Sequence, residues 1–146
     1  MSIKKLNEKV AVSPQLTVAD IEAAAAQGYH TVINNRPDQE GPGQPSSDEL
    51  KTAAEKHGMN YYHIPVVPGQ ISDDQVAEFD KAVEGCSGPV LAFCKSGTRA
   101  ACLWALSEAA KQDPEAILNA CSTAGYDLSG LAPRIRACAG PECKDN

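Results

Sequence analysis

Four short apolar or β-branched segments, residues 10–13, 30–35, 61–66 and 90–94, alternate with helix-length stretches that carry their own start and stop signals. That alternation restricts the possible folds more than any other feature. A strand, a helix and a second strand connect through a right-handed crossover, which makes the strands parallel and covers both faces of the sheet with helices. Thr17 is placed to cap a helix over 18–27 that Gly28 stops, and Ser46 or Ser47 opens a second that ends at Gly58. Ser72 caps a third over 73–84, where Val76, Phe79, Ala82 and Val83 form an apolar stripe and Gly85 is the stop. After Cys94 no strand is expected. Helices are predicted over 98–111, 114–124 and 128–137, the last kinked or delayed by Pro133. The expected class is α/β: a mostly parallel sheet of four to five strands flanked by helices, with a helical C-terminal third.

With 146 residues, 42% of them apolar and 22% charged, the chain reads as a single domain able to build its own hydrophobic core. The stretch from about residue 140 reads as a flexible tail. Thirteen basic against 19 acidic residues leave a net charge of -6, which argues against a nucleic-acid-binding face or a polybasic membrane patch, so any anion site must be local. The N-terminal residues lack the apolar run of a signal peptide and no stretch is long enough to span a bilayer, so the expected compartment is the cytoplasm. Structural disulfides are rare there. The six cysteines, at 86, 94, 102, 121, 138 and 143, do not have zinc-site spacing, and neither a metal nor a cofactor is expected.

Chemistry concentrates in PVLAFCKSGTRAACLWAL, where the last buried strand runs into Cys94, then Lys95, Ser96, Gly97, Thr98 and Arg99, then a helix. Gly97 permits backbone angles that let successive amide N–H groups turn inward, and the helix places its positive end at the same point. Those dipoles and the Arg99 guanidinium favour a thiolate at Cys94, which makes it the candidate nucleophile. Arg99 is the candidate for gripping two oxygens of a tetrahedral anion. Lys95, Ser96, Gly97 and Thr98 complete the anion-binding loop. Lys95 adds to the local positive field, and Ser96 and Thr98 are candidates for bonding the thiolate or capping the helix, with capping favoured for Thr98.

The strands VINNRP (32–37) and YYHIPV (61–66) and the loop CKSGTR together resemble the cysteine-dependent tyrosine and dual-specificity phosphatase fold. More narrowly, they resemble the phosphatase-like domain of bacterial beta-lactamase-hydrolase-like proteins, a family also labelled as sulfurtransferases. The resemblance runs from about residue 11 to 124. It implies a link to sulfide and persulfide metabolism, with a persulfide dioxygenase of metallo-beta-lactamase fold as a partner.

Two departures from the phosphatase pattern bear on the reaction. Phosphatases of this superfamily put five residues between the nucleophilic Cys and the Arg; here four intervene and Ala100 follows, a spacing like that of single-domain rhodaneses. A smaller ring of amides suits a terminal persulfide sulfur better than the oxygens of a phosphoryl group. Related phosphatases also supply a general-acid Asp after the strand corresponding to YYHIPV, whereas this loop reads VPGQ and its first acids, Asp73 and Asp74, open the next helix. The leading expectation is therefore a sulfurtransferase that holds sulfane sulfur as a Cys94 persulfide. It would take that sulfur from thiosulfate or a low-molecular-weight persulfide and pass it to a thiol acceptor. The alternative is a phosphatase forming a phosphocysteine at Cys94, with water or a mobile carboxylate such as Asp38 or Asp73 standing in for the acid. A further alternative is an anion-binding or redox-sensing module without turnover.

Auxiliary candidates are Arg36, Asp38 and His63. Arg36 ends a strand that should lie beside Cys94, where it would assist anion entry or pair with Asp38 or Glu40. His63 would reach the loop or serve structure alone. Cys102 is expected in the core, Cys86 lies at the far end of the Cys94 strand, and Cys138 with Cys143 form a candidate secondary redox pair.

Overall fold

The computed structural model describes residues 3–137. The tail from residue 140 and the Cys138/Cys143 pair lie outside them. Among the described residues the strands are β1 (Lys4–Lys5), β2 (Val10–Ser13), β3 (Thr31–Asn34), β4 (Asn60–His63) and β5 (Val90–Phe93). The helices are α1 (Val18–Ala26), α2 (Ser47–Lys56), α3 (Asp73–Glu84), α4 (Thr98–Glu108), α5 (Pro114–Thr123) and α6 (Ala132–Ala137).

Strand order is β1-β2-β5-β3-β4, with only β1 antiparallel to its neighbour. The expected α/β class and helical C-terminal third are therefore present. The helix expected over 128–137 is delayed: a 3-10 turn at Ser129–Leu131 precedes α6, and Pro133 sits in the first turn of α6, where its missing N–H costs no hydrogen bond. β1 was not among the four expected strands, because two exposed lysines carry no apolar signal.

The strand alternation sends side chains to two cores. Val10, Val12, Ile33 and Ala92 pack with Phe79, Leu103, Trp104, Ile117 and Ile135 under α3 to α6. Ala11, Val32, Leu91 and Phe93 pack with Ile21, Leu50 and Ala54 under α1 and α2. Alternate residues of one strand thus serve opposite faces, as a parallel sheet buried on both sides requires.

Three helices open on reciprocal capping boxes, Thr17 with Asp20, Ser46 with Glu49 and Ser72 with Gln75, each stabilising by about 1 kcal/mol. Thr17 and Ser72 are the caps read from the sequence, and of the two serines open for the second helix the cap is Ser46. The central strand β5 is flanked on both sides by parallel partners, so the loop after Phe93 emerges at the carboxyl edge where open α/β sheets bind ligands. No helix among the described residues is long and apolar enough to cross a membrane.

Candidate active site

At the end of β5 the chain turns through Cys94 to Gly97 and enters α4, whose first hydrogen bond runs from the Ala101 N–H to the Gly97 carbonyl at 2.9 Å. Gly97 has φ of 95° and caps the helix with no side chain. A Cβ there would lie 2.2 Å from Tyr126 Oη and 3.3 Å from the Ser13 carbonyl carbon, so both the angle and the space demand glycine. In this conformation the Gly97 N–H donates to Cys94 Sγ at 3.1 Å. The sulfur is fully buried at the floor of the loop, with an amide aimed at it and a helix N-terminus behind that amide.

Arg99, in the first turn of α4, is 8% exposed. Its Nη1 donates to Glu40 Oε2 at 2.8 Å and to the Val66 carbonyl at 2.7 Å, and its Nη2 donates to Glu40 Oε1 at 2.8 Å. The carboxylate thus occupies the edge of the guanidinium formed by the two terminal nitrogens. Glu40 Oε1 also accepts from Arg36 Nε at 2.8 Å, and Arg36 Nη1 donates to Gln15 Oε1 at 3.0 Å. One carboxylate therefore ties together two nearly buried arginines from different elements. The Arg99 hydrogen bond, and then Arg36, hold the Glu40 carboxyl down to about 2 against the opposing effect of burial. Glu40 in turn raises the basicity of Arg99, and the Cys94 sulfur adds to that effect.

The structure brings Cys94, Gly97 and Arg99 together as the sequence spacing implies, and sorts the other candidates. Lys95 and Ser96 are exposed. The helix cap is Gly97, not Thr98; the Thr98 and Ser96 hydroxyls bond each other at 3.1 Å, which removes the expected capping role. Arg36 takes the pairing reading, with Glu40 as partner rather than Asp38.

Asp38 accepts the Ser47 N–H at 2.8 Å at the start of α2, and Asp73 pairs with Arg134 at 3.0 Å, so both carboxylates are engaged by partners other than the Cys94 loop. His63 bonds through Nε2 to the Arg36 carbonyl at 2.9 Å, tying β4 to the end of β3. The remaining described thiols are set apart from Cys94 by their surroundings. Burial pushes Cys102 up to about 11 and Cys121 up to about 12. Cys86 shares a hydrogen bond with Thr31 Oγ1 at 2.9 Å, at the opposite end of the sheet.

Two roles at the site were not read from the sequence, that of Glu40 at Arg99 and that of Tyr126. Glu40 had a local signal, standing four residues after Arg36, but its main partner Arg99 is 59 positions away. Tyr126, which donates to the Ser96 carbonyl at 3.3 Å, lies beyond α5 and had none.

Residues 2–111 match the family described as "Beta-lactamase hydrolase-like protein, phosphatase-like domain". A Beta-lactamase hydrolase-like protein of Agrobacterium fabrum is 35% identical over 97% of this chain, and the chain spans 36% of that protein's length. Among solved structures, a candidate phosphatase from Neisseria meningitidis is 36% identical, with a TM-score of 0.84 over 94% of this chain and 99% of that one. The active form of Tk-PTP is 20% identical, with a TM-score of 0.74 over 94% of this chain and 96% of that one, and shares the fold. On these grounds, and on a Cys94 loop set at the carboxyl edge of a parallel sheet, the chain belongs to the family of the phosphatase-like domain of beta-lactamase hydrolase-like proteins.

Proposed function

We propose that this chain is a cysteine-dependent phosphatase acting on phosphate monoesters through a phosphocysteine at Cys94. The observation that carries the reading is the floor of the loop: the Gly97 N–H is directed at Cys94 Sγ, and Arg99, five residues on in the first turn of the helix that follows, is held in a fixed position by Glu40 and the Val66 carbonyl. The thiolate attacks phosphorus in line with the ester oxygen, the S–P bond forms, and the P–O bond breaks with its electron pair leaving on the alcohol oxygen. Arg99 and the loop amides meet the charge on the non-bridging oxygens. Water then attacks the phosphocysteine, the P–S bond breaks, and inorganic phosphate leaves as the thiolate reforms. With Asp38 and Asp73 engaged elsewhere and Glu40 held ionised, the leaving group departs without a strong acid among these three. Substrates with acidic leaving groups, such as aryl phosphates, are accordingly favoured.

The phosphatase alternative now stands ahead of sulfur transfer. The family description and the Neisseria relative both point to phosphatase chemistry, and none of the relatives named above is described as a sulfurtransferase. The four-residue spacing between Cys94 and Arg99 still favours a small sulfur-bearing ligand as a second reading. One experiment separates the two: a single preparation is assayed for phosphate release from an aryl phosphate and for sulfite release from thiosulfate with a thiol acceptor. Phosphate release that is lost in Cys94→Ser supports the proposal. Sulfite release without phosphate release overturns it.

A further inference from the structure

We propose that Tyr126 is a positioning residue for the Cys94 loop, its hydroxyl fixing the Ser96–Gly97 peptide plane so that the Gly97 N–H stays aimed at the nucleophilic sulfur. Tyr126 follows Gly125, whose φ is 98°, and its own N–H is anchored to the Cys121 carbonyl at 2.8 Å. From that turn the hydroxyl donates to the Ser96 carbonyl at 3.3 Å and occupies the volume a side chain at position 97 would need.

The Ser96 carbonyl and the Gly97 N–H belong to one peptide unit. In a trans peptide they point in opposite directions, so a hydroxyl holding the oxygen outward also holds the hydrogen inward. That hydrogen meets Cys94 Sγ across 3.1 Å. The preceding peptide is held too: the Lys95 carbonyl accepts from the Gln15 N–H at 3.3 Å. Two successive carbonyls are thus fastened from outside the loop by residues distant in sequence, and the amide of the second peptide, the Gly97 N–H, turns toward Cys94 Sγ. Glycine leaves this plane freer to rotate than any other residue would, so the outside partner matters most there. Burial, and then the Cys94 sulfur, make the Tyr126 phenol harder to ionise, which keeps it a donor. Tyr126 lies outside residues 2–111, so the assignment gives the helical C-terminal third a part in the chemistry of the loop.

The inference rests on Cys94 being the reacting atom, as proposed above. Its test is Tyr126→Phe, which removes one oxygen. Iodoacetamide alkylation of Cys94 is followed by peptide mass spectrometry at pH 6 and pH 9, alongside kcat and KM for an aryl phosphate. Loss of one oriented hydrogen bond lowers the pH 6 rate, relative to the same variant's pH 9 rate, by about threefold to tenfold against the parent protein. The same factor appears in kcat with KM little changed, and the unfolding midpoint is retained. Amide hydrogen exchange at Gly97 accelerates in the variant. A parent-like alkylation ratio together with parent-like exchange overturns the assignment, and that outcome can be read even in a variant of reduced stability. Should the parent protein hydrolyse no phosphate ester, the functional proposal falls while alkylation and exchange still decide the role of Tyr126.

Discussion

Replacing Glu40 by Gln separates the charge that organises the site from the shape that surrounds it. The carboxylate accepts three charge-assisted hydrogen bonds at 2.8 Å, two from Arg99 and one from Arg36. A carboxyl held from 4.5 down to about 2 corresponds to an upper bound of about 3 kcal/mol of pairing free energy. Solvent reaches the 24% of the side chain that is exposed and reduces this to about 2 kcal/mol. Because the folded-state value is depressed, that stability is fully present above pH 4.5 and is lost as pH falls from 4.5 toward 2. Urea unfolding at pH 7 should find Glu40→Gln less stable by about 2 kcal/mol, and the gap should close by pH 2. The variant leaves two nearly buried guanidinium groups facing one amide, so Arg99 loses its fixed orientation and kcat/KM should fall by about 100-fold. Equal stability at pH 7 would refute the electrostatic reasoning, and a gap that persists at pH 2 would assign the loss to packing instead.

Cys94→Ser should abolish turnover while preserving the far-UV circular dichroism spectrum and the unfolding midpoint, because the oxygen fits the buried floor but is a poor nucleophile; residual phosphate release would reject the site. Hydrolysis rates across a series of phosphate esters should fall steeply as the leaving alcohol becomes less acidic, and a flat dependence would reveal a proton donor acting on the leaving group. Asp38→Asn should leave the pH profile of aryl phosphate hydrolysis unchanged while lowering stability by about 0.5 kcal/mol, since the amide oxygen still accepts the Ser47 N–H and only the negative charge at the N-terminus of α2 is lost. A lost acidic limb in that profile would return Asp38 to the reaction.

The parts of this protein legible in the sequence are those set by neighbours along the chain. Caps at Thr17, Ser46 and Ser72 announce their helices within four residues, and the apolar run into Cys94 followed by Gly97 and Arg99 sets strand, loop and helix in order. What stayed hidden is carried by contacts across the fold. The pairing of Glu40 with Arg99 depends on the loop after β3 reaching the first turn of α4, an approach no local pattern encodes. Tyr126 reaches Ser96 from 30 residues further along the chain. Thr98 shows the opposite failure. Its residue type suits a helix cap, but Gly97 at positive φ takes the cap position and leaves Thr98 as the first helical residue.

The most direct measurement is the mass of the Cys94 peptide after rapid acid quench of the protein mixed with an aryl phosphate, with a parallel sample treated with thiosulfate. The proposed chemistry predicts that Cys94 gains one phosphoryl group in the first sample, with a burst of phenol stoichiometric with enzyme, and remains a free thiol in the second. A Cys94 peptide that gains one sulfur atom from thiosulfate and no phosphoryl group from the ester would contradict it.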